Sequence, residues 1–226
     1  MAKKDTAWRQ EFFKQVEPIL LKDHLAYVLG AQDEGEPFVF HYADAVKLAG
    51  HSCPAVSGAY KLTQKALKVL YGKETPVRGE ILVLVKGGPE DLAYGPQAQV
   101  ISLITGASGV TGFKGLGGRY SRNNKLFFDK KNPRFNTFVF QREDTEAAVR
   151  VTYSPQALPQ DPRMNDLVPK VLRGTASKSE KDLFISLWQG NVKKILLEDD
   201  KYPGLFEVEE LKDFRFPKPE ELVSTT

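Results

Sequence analysis

Helical and strand-like hydrophobic patterns occupy separate parts of this 226-residue chain. Apolar side chains recur three and four residues apart over residues 7–30, 54–71 and 177–197, whereas the region between the last two holds short apolar runs typical of strands. Such segregation favours an α+β fold over alternating βαβ units. We therefore expect a central, mostly antiparallel sheet with N-terminal helices, a helix that begins at Pro54 and a C-terminal helix.

Local signals give approximate boundaries. Pro18 is expected to kink or split the first helix, and Pro54 suits the first turn of the helix that follows it. Ser177 and Glu180 form a capping-box pattern at the start of the C-terminal helix. The predicted strands are residues 38–40, 80–86, 98–104, 126–129, 136–140 and 147–153, and a short helix is predicted over 43–49.

The length fits one domain spanning residues 1–226, with an extended tail over 198–226 that lies loosely on the surface. A net charge of +3 without a basic arm gives no support for nucleic-acid binding. No apolar run approaches the ~20 residues of a membrane span, and no secretory signal is seen at the N-terminus. We expect a cytoplasmic protein that binds neither nucleic acid nor a membrane.

The chain has one cysteine and three histidines, which excludes an internal disulfide and zinc or iron–sulfur sites built from four cysteines. Two of these histidines and the cysteine nevertheless fall close together, as His41, His51 and Cys53, with Asp44 between them. Cys53 would be the N-cap of the helix that begins at Pro54, where a thiolate is favoured. A thiolate, imidazoles and a carboxylate suit a divalent metal, and zinc is the one we expect.

Each of these residues also has a simpler interpretation. Cys53 could be a small buried residue, His41 could end a strand without binding anything, and Asp44 could be an ordinary acid at a helix start. If the site is reactive, Cys53 is the expected catalytic residue, either beside a metal-activated water or as a thiolate nucleophile. A metal-free thiol with His51 as its base is a third interpretation, although a spacing of two residues makes direct pairing awkward.

The second feature is a glycine-rich stretch, residues 105–124, with six glycines. It matches neither the phosphate-binding P-loop nor the dinucleotide-binding pattern. Its basic residues Lys114, Arg119 and Arg122 could still hold a small anionic or carbonyl-bearing ligand together with backbone N–H groups. The simpler interpretation is a strand connection whose glycines permit positive φ angles.

The segment Ala-Gly-His-Ser-Cys-Pro-Ala-Val-Ser-Gly-Ala-Tyr, residues 49–60, resembles the signature of the FmdE-like proteins, which are named after a component of formylmethanofuran dehydrogenase. In that family a His-x-His-x-Cys-Pro segment opens a helix with a glycine a few residues in. The Thr-Gly-Ala-Ser stretch at 105–108 and the Asn-Lys-Leu stretch at 124–126 are similar to a later family segment. The resemblance covers about residues 40–155, and implies an α+β core domain that dimerises, with a metal near the His/Cys motif.

The chain departs from this family pattern at two positions. Ala49 stands where the family has its first histidine, and Ala107 stands where it has a second cysteine. Of the metal ligands that the resemblance implies, only His51 and Cys53 are therefore expected here, with His41 or Asp44 as replacement ligands. The C-terminal zinc finger of some family members is expected to be absent. The functional prediction is a homodimeric zinc-type protein, and the motif leaves open whether it is an enzyme. The alternative is a non-catalytic anion-binding module that uses residues 105–124.

Overall fold

A computed structural model describes residues 5–91 and 93–222. A 3₁₀ turn over Glu11–Gln15 comes first, and short 3₁₀ turns also lie at Pro155–Ala157 and Asp199–Lys201. The helices are α1 (His24–Val28), α2 (Tyr42–Ala49), α3 (Pro54–Tyr71), α4 (Tyr94–Thr105), α5 (Met164–Leu172), α6 (Lys178–Leu197) and α7 (Pro219–Leu222). The strands are β1 (Ile19–Leu21), β2 (Phe38–Phe40), β3 (Ile81–Val85), β4 (Leu126–Phe128), β5 (Thr137–Arg142), β6 (Ala148–Tyr153) and β7 (Phe206–Leu211).

The main sheet has five strands in the order β4-β3-β5-β6-β7. Its pairs are antiparallel except for β3 and β4, which run parallel and are joined through α4 and the glycine-rich stretch. β1 and β2 form a separate antiparallel pair. The α+β class with a mostly antiparallel sheet is therefore confirmed.

One face of the main sheet forms the core with the helices. Inward-facing side chains of β3, β5 and β6 alternate along each strand and join one core cluster, in which β5 and β6 pack against α3 and β3 packs against α4. α3 also contacts α4 and α6. Four tyrosines are fully or almost fully buried in this core: Tyr42, Tyr60, Tyr94 and Tyr153. The long helix α3 thus lies at the centre of the molecule, and its N-terminus carries the His-x-Cys-Pro segment.

The predicted secondary structure is wrong for two segments. Residues 98–104 were expected to be a strand but belong to α4, whose buried residues Tyr94, Gln97, Ala98, Ile101 and Ile104 repeat at helical spacing. A short apolar run rich in β-branched residues does not distinguish a strand from a buried helix. Residues 7–30 contain a 3₁₀ turn, β1 and α1 instead of one kinked helix. Pro18 precedes β1, and the Asp23 side chain caps α1 by accepting from Leu25 N at 3.0 Å.

The C-terminal part is more ordered than the sequence predicted. Residues 206–211 form β7 and pair along the whole length of β6. After that strand, Phe214, Phe216 and Leu222 pack against Leu84 and Val139 on the face of the sheet opposite α3. The segment over residues 154–176, which joins β6 to α6, includes α5.

Candidate functional site at His51 and Cys53

His51 and Cys53 lie in the short segment between α2 and α3. Gly50 ends α2 with a left-handed φ of 73°, a conformation that glycine adopts without strain. Cys53 follows in an extended conformation as the N-cap of α3, with Pro54 at the first helical position. The turn at Gly50 and the extended Cys53 frame a short segment in which both side chains lie on the same side.

The two side chains touch. His51 Nε2 lies 3.2 Å from Cys53 Sγ, and His51 Nδ1 lies 2.9 Å from the carbonyl oxygen of Ala49. Because a carbonyl oxygen can only accept, Nδ1 donates in that contact, which leaves Nε2 of a neutral ring free to accept the thiol proton. The direct pairing that the spacing made awkward is therefore present, with Ala49 orienting the imidazole.

Ser52 fastens this segment to the C-terminal helix. Its carbonyl oxygen accepts from Trp188 Nε1 at 3.0 Å and from Gln189 Nε2 at 3.1 Å. Its hydroxyl donates to Gln189 Oε1 at 3.1 Å and contacts the Tyr42 hydroxyl at 2.9 Å. Nothing in the sequence linked residues 188 and 189 to the motif, because their positions fit the general helical pattern of α6 and the contact spans 136 residues.

Two buried tyrosines surround the start of α3. Burial raises the pKa of Tyr42 and of Tyr153, and the nearby Cys53 raises each pKa further. The Tyr153 hydroxyl donates to the Pro54 carbonyl oxygen at 3.0 Å. Both phenols therefore stay protonated at neutral pH, where they serve as fixed hydrogen-bonding groups.

His41 and Asp44 begin α2. His41 is the N-cap residue, and its backbone N–H donates to Asp44 Oδ2 at 2.9 Å. This is the ordinary helix-start role that was the simpler interpretation of Asp44. Across residues 5–91 and 93–222, no group of three or more His, Cys, Asp or Glu side chains is placed to hold a metal. The structure thus brings together His51 and Cys53, without the other two predicted ligands.

Comparison with known proteins identifies the family. A model of the family FmdE, Molybdenum formylmethanofuran dehydrogenase operon, matches residues 48–202, which is more than half of the chain. The chain belongs to the FmdE family. The match includes the His51/Cys53 segment and extends past the expected limit of about residue 155 to include all of α6.

Among solved structures, the chain is similar to a tungsten formylmethanofuran dehydrogenase FmdE-like protein from Syntrophus aciditrophicus. The two share 14% identity, with 83% of this chain and 78% of the other covered, at a TM-score of 0.40. A search of curated proteins finds no match.

The glycine-rich stretch of this FmdE-family chain follows α4 and is folded locally. Gly115, Gly117 and Gly118 have positive φ angles, and Leu116 and Arg119 exchange two backbone hydrogen bonds of 2.9 Å. Glycines that permit a tight turn were the simpler interpretation of the stretch. Arg119 lies with its guanidinium 5.0 Å from the centroid of the Tyr120 ring.

Arg122 is buried in an ion-pair cluster that the sequence did not indicate. Its Nη2 lies 2.6 Å from Asp23 Oδ1, and Nη1 of Arg78 lies 3.1 Å from the other oxygen of the same carboxylate. Burial lowers the pKa of Arg122. Gly79, with a φ of 85°, leaves room for this side chain, since a Cβ there would lie 1.0 Å from Arg122 Nη1.

A polar pocket of about 730 Å³ opens beside this cluster. Arg119 and Arg122 line it, together with Lys22, Arg78 and Lys125, whereas Lys114 does not. Acidic residues including Glu36, Glu80 and Glu143 line it as well, so both charge signs are present. The predicted ligand-binding residues are therefore split: Arg119 and Arg122 share a pocket, and Lys114 lies outside it.

Proposed function

We propose that His51 and Cys53 form the reactive centre of this FmdE-family protein, a thiol–imidazole pair that binds a divalent metal of the zinc type. The observation that carries this proposal is the 3.2 Å contact between His51 Nε2 and Cys53 Sγ. From ordinary zinc–nitrogen and zinc–sulfur distances, two ligands of one tetrahedral zinc lie about 3.5 Å apart. His51 Nδ1 donates to a backbone carbonyl, as the second nitrogen of metal-binding histidines commonly does.

His51 and Cys53 would hold the metal, and His41 or Asp44 would complete the set if their helix start rearranges. When bound, such a metal supplies Lewis acidity towards a carbonyl oxygen or a water molecule. The chain itself supplies the thiol, an imidazole that holds a proton at Nδ1, and the Ser52 anchor that keeps both in place. We propose a homodimer in the cytoplasm that acts on a carbonyl-bearing small molecule.

Metal content tests the ligand assignment. Untagged wild-type protein should carry about one metal per chain by elemental analysis, and Cys53→Ser and His51→Ala should lose most of it. His41→Ala and Asp44→Asn test the additional ligands in the same way. His24→Ala is the matched control, because His24 lies 3.9 Å from Glu80 in the polar pocket. Unchanged metal in both Cys53→Ser and His51→Ala would refute the metal site.

The same contact supports a metal-free thiol enzyme as a variant of this proposal, since the imidazole is within hydrogen-bonding distance of the thiol. Iodoacetamide should alkylate Cys53 rapidly in chelator-treated protein, and zinc should protect it if the metal site exists. Alkylation that zinc does not slow would favour the thiol enzyme. A Cys53 that stays inert after chelation would leave only a structural role.

An anion-binding module is the second candidate, supported by the pocket that Arg119 and Arg122 share. Arg78 also lines this pocket, and its buried Nε has no hydrogen-bond partner in the described residues. Phosphate or citrate should then bind with a marked loss in Arg119→Gln. Lys114→Gln serves as the control outside the pocket. Equal binding by both variants would refute this assignment.

A further inference from the structure

A second pocket adjoins the His51/Cys53 segment. It lies between the first turn of α3, the turn at Pro155–Ala157, α5 and α6, and has a volume of about 420 Å³. Sites for small molecules commonly have volumes of about 300–1,000 Å³. Pro54, which directly follows Cys53, forms part of its wall.

The lining of this pocket is apolar with a few neutral polar groups. Leu158, Met164, Val168 and Trp188 are among its apolar side chains. Its polar side chains are the amides of Gln160, Asn165 and Asn191, and no charged side chain of the described residues lines it. A charged ligand would lose its hydration here without an ionic partner, so the lining favours a neutral one.

Trp188 connects the pocket to the reactive pair. Its Nε1 donates to Ser52 O at 3.0 Å, so its N–H is satisfied by the backbone and its ring is held in one orientation. Gln189 donates to the same oxygen at 3.1 Å. Because Ser52 precedes Cys53 and Pro54 follows it, these bonds keep the thiol beside the wall of the pocket.

We propose that this pocket binds the non-reacting part of a neutral, planar molecule that carries an amide or a related carbonyl group. Side-chain amides offer both a donor and an acceptor, which matches an amide in the ligand. The ring of such a molecule packs between Trp188 and the aliphatic side chains of α5. The inference that its carbonyl group lies towards Cys53 rests on the proposed function. The chemical class of the ligand rests only on the lining of the pocket.

Benzamide and benzoate test the ligand class, since they share a ring and differ in charge. Titration calorimetry should show saturable binding of benzamide, with benzoate weaker by about tenfold or more. Val168→Trp should abolish benzamide binding by filling the pocket. Leu172→Trp, on the same helix but 80% exposed, should leave it unchanged. Equal or tighter binding of benzoate, or unchanged benzamide binding in Val168→Trp, would overturn the proposal.

Protection of Cys53 tests the placement. Saturating benzamide should slow alkylation of Cys53 by iodoacetamide several-fold in wild type and have no effect in Val168→Trp. Benzamide that binds without slowing alkylation would refute the link to Cys53. Benzamide that binds to a protein whose Cys53 neither holds metal nor alkylates would refute the proposed function alone and support the ligand class of the pocket.

Discussion

Gly58 shows how a single residue of the family signature supports the site. It lies within α3, five residues after Cys53, and a Cβ there would lie 2.3 Å from Cε1 of Tyr153. The absent side chain lets the Tyr153 ring lie against the helix and reach the Pro54 carbonyl oxygen. The glycine a few residues into the helix, seen in the sequence as a motif position, is thus explained by the close approach of a ring.

Gly58→Ala should lower the free energy of unfolding by about 1–3 kcal/mol, because either Tyr153 or α3 must shift. Urea denaturation measures this change. Gly190→Ala in α6 is the matched control, since a Cβ there meets nothing within 4 Å beyond its two chain neighbours and the backbone of its own helix. The control should be neutral or stabilising by about 0.5–1 kcal/mol, from the helix preference of alanine. Equal effects of the two changes would contradict the packing account.

At the scale of elements, Asp199 joins the two long helices. It lies just after α6 and its carboxylate is 3.0 Å from Lys61 Nζ and 2.6 Å from Lys65 Nζ, both on α3. Burial of Asp199 acts to raise its pKa, but hydrogen bonds from Lys65 and Lys61 outweigh burial, so the pKa is lower than its ordinary value. These ion pairs hold α6, and with it Trp188, against the helix that carries Cys53.

A carboxyl whose pKa is lower in the folded than in the unfolded protein stabilises the fold at pH values above its unfolded-state pKa of about 4. This stabilisation is lost as the pH falls through the pKa of the folded state. Asp199→Asn should therefore cost about 1–2 kcal/mol of unfolding free energy at pH 7. It should also reduce the stability difference between pH 7 and pH 3. Urea denaturation at both pH values measures this.

Glu198→Gln provides the control for the Asp199 experiment. Glu198 is the neighbouring carboxylate and pairs at 3.2 Å with Lys201, whose side chain is 64% exposed. Such pairs contribute about 0–1 kcal/mol, so this change should have little effect. A pH dependence that is the same in Asp199→Asn and wild type would show that the ion pairs do not couple the helices.

At the scale of the whole molecule, the C-terminal segment covers the second face of the sheet. Phe216 contacts Phe127 of β4 with ring centroids 5.7 Å apart and belongs to the cluster around Leu84 and Val139. Without this cover, those two side chains would face water. Within the described residues no helix is long and apolar enough to cross a membrane.

Phe216→Ala should lower the free energy of unfolding by about 2 kcal/mol, as expected for truncation of a partly buried aromatic side chain. It should also increase binding of a hydrophobic dye such as ANS to the sheet. Phe135→Ala is the control, because Phe135 is 50% exposed. If both variants unfold at the same denaturant concentration as wild type, the segment does not stabilise the sheet.

The sequence alone was sufficient for the fold class, the family and the boundaries of α3 and α6. Pro54, Gly72 and the capping box of Ser177 and Glu180 are local signals, and the structure has them at the ends of those helices. The scarcity of His and Cys drew attention to His51 and Cys53 before any contact was known. These features depend on neighbours in the chain, which a sequence shows directly.

Only the tertiary structure decided the remaining features. Whether residues 98–104 form a helix or a strand depends on what surrounds them, and burial on several sides made them part of α4. Asp23 pairs with Arg122 across 99 residues, and Trp188 reaches Ser52 across 136. Such contacts arise when segments that are distant in the sequence pack together in one core. Hydrophobic periodicity and motif spacing do not predict which distant residues will meet. The sequence shows that Cys53 and His51 are close together in a chain with few residues of these types. Only the tertiary structure places a pocket without charged side chains beside them.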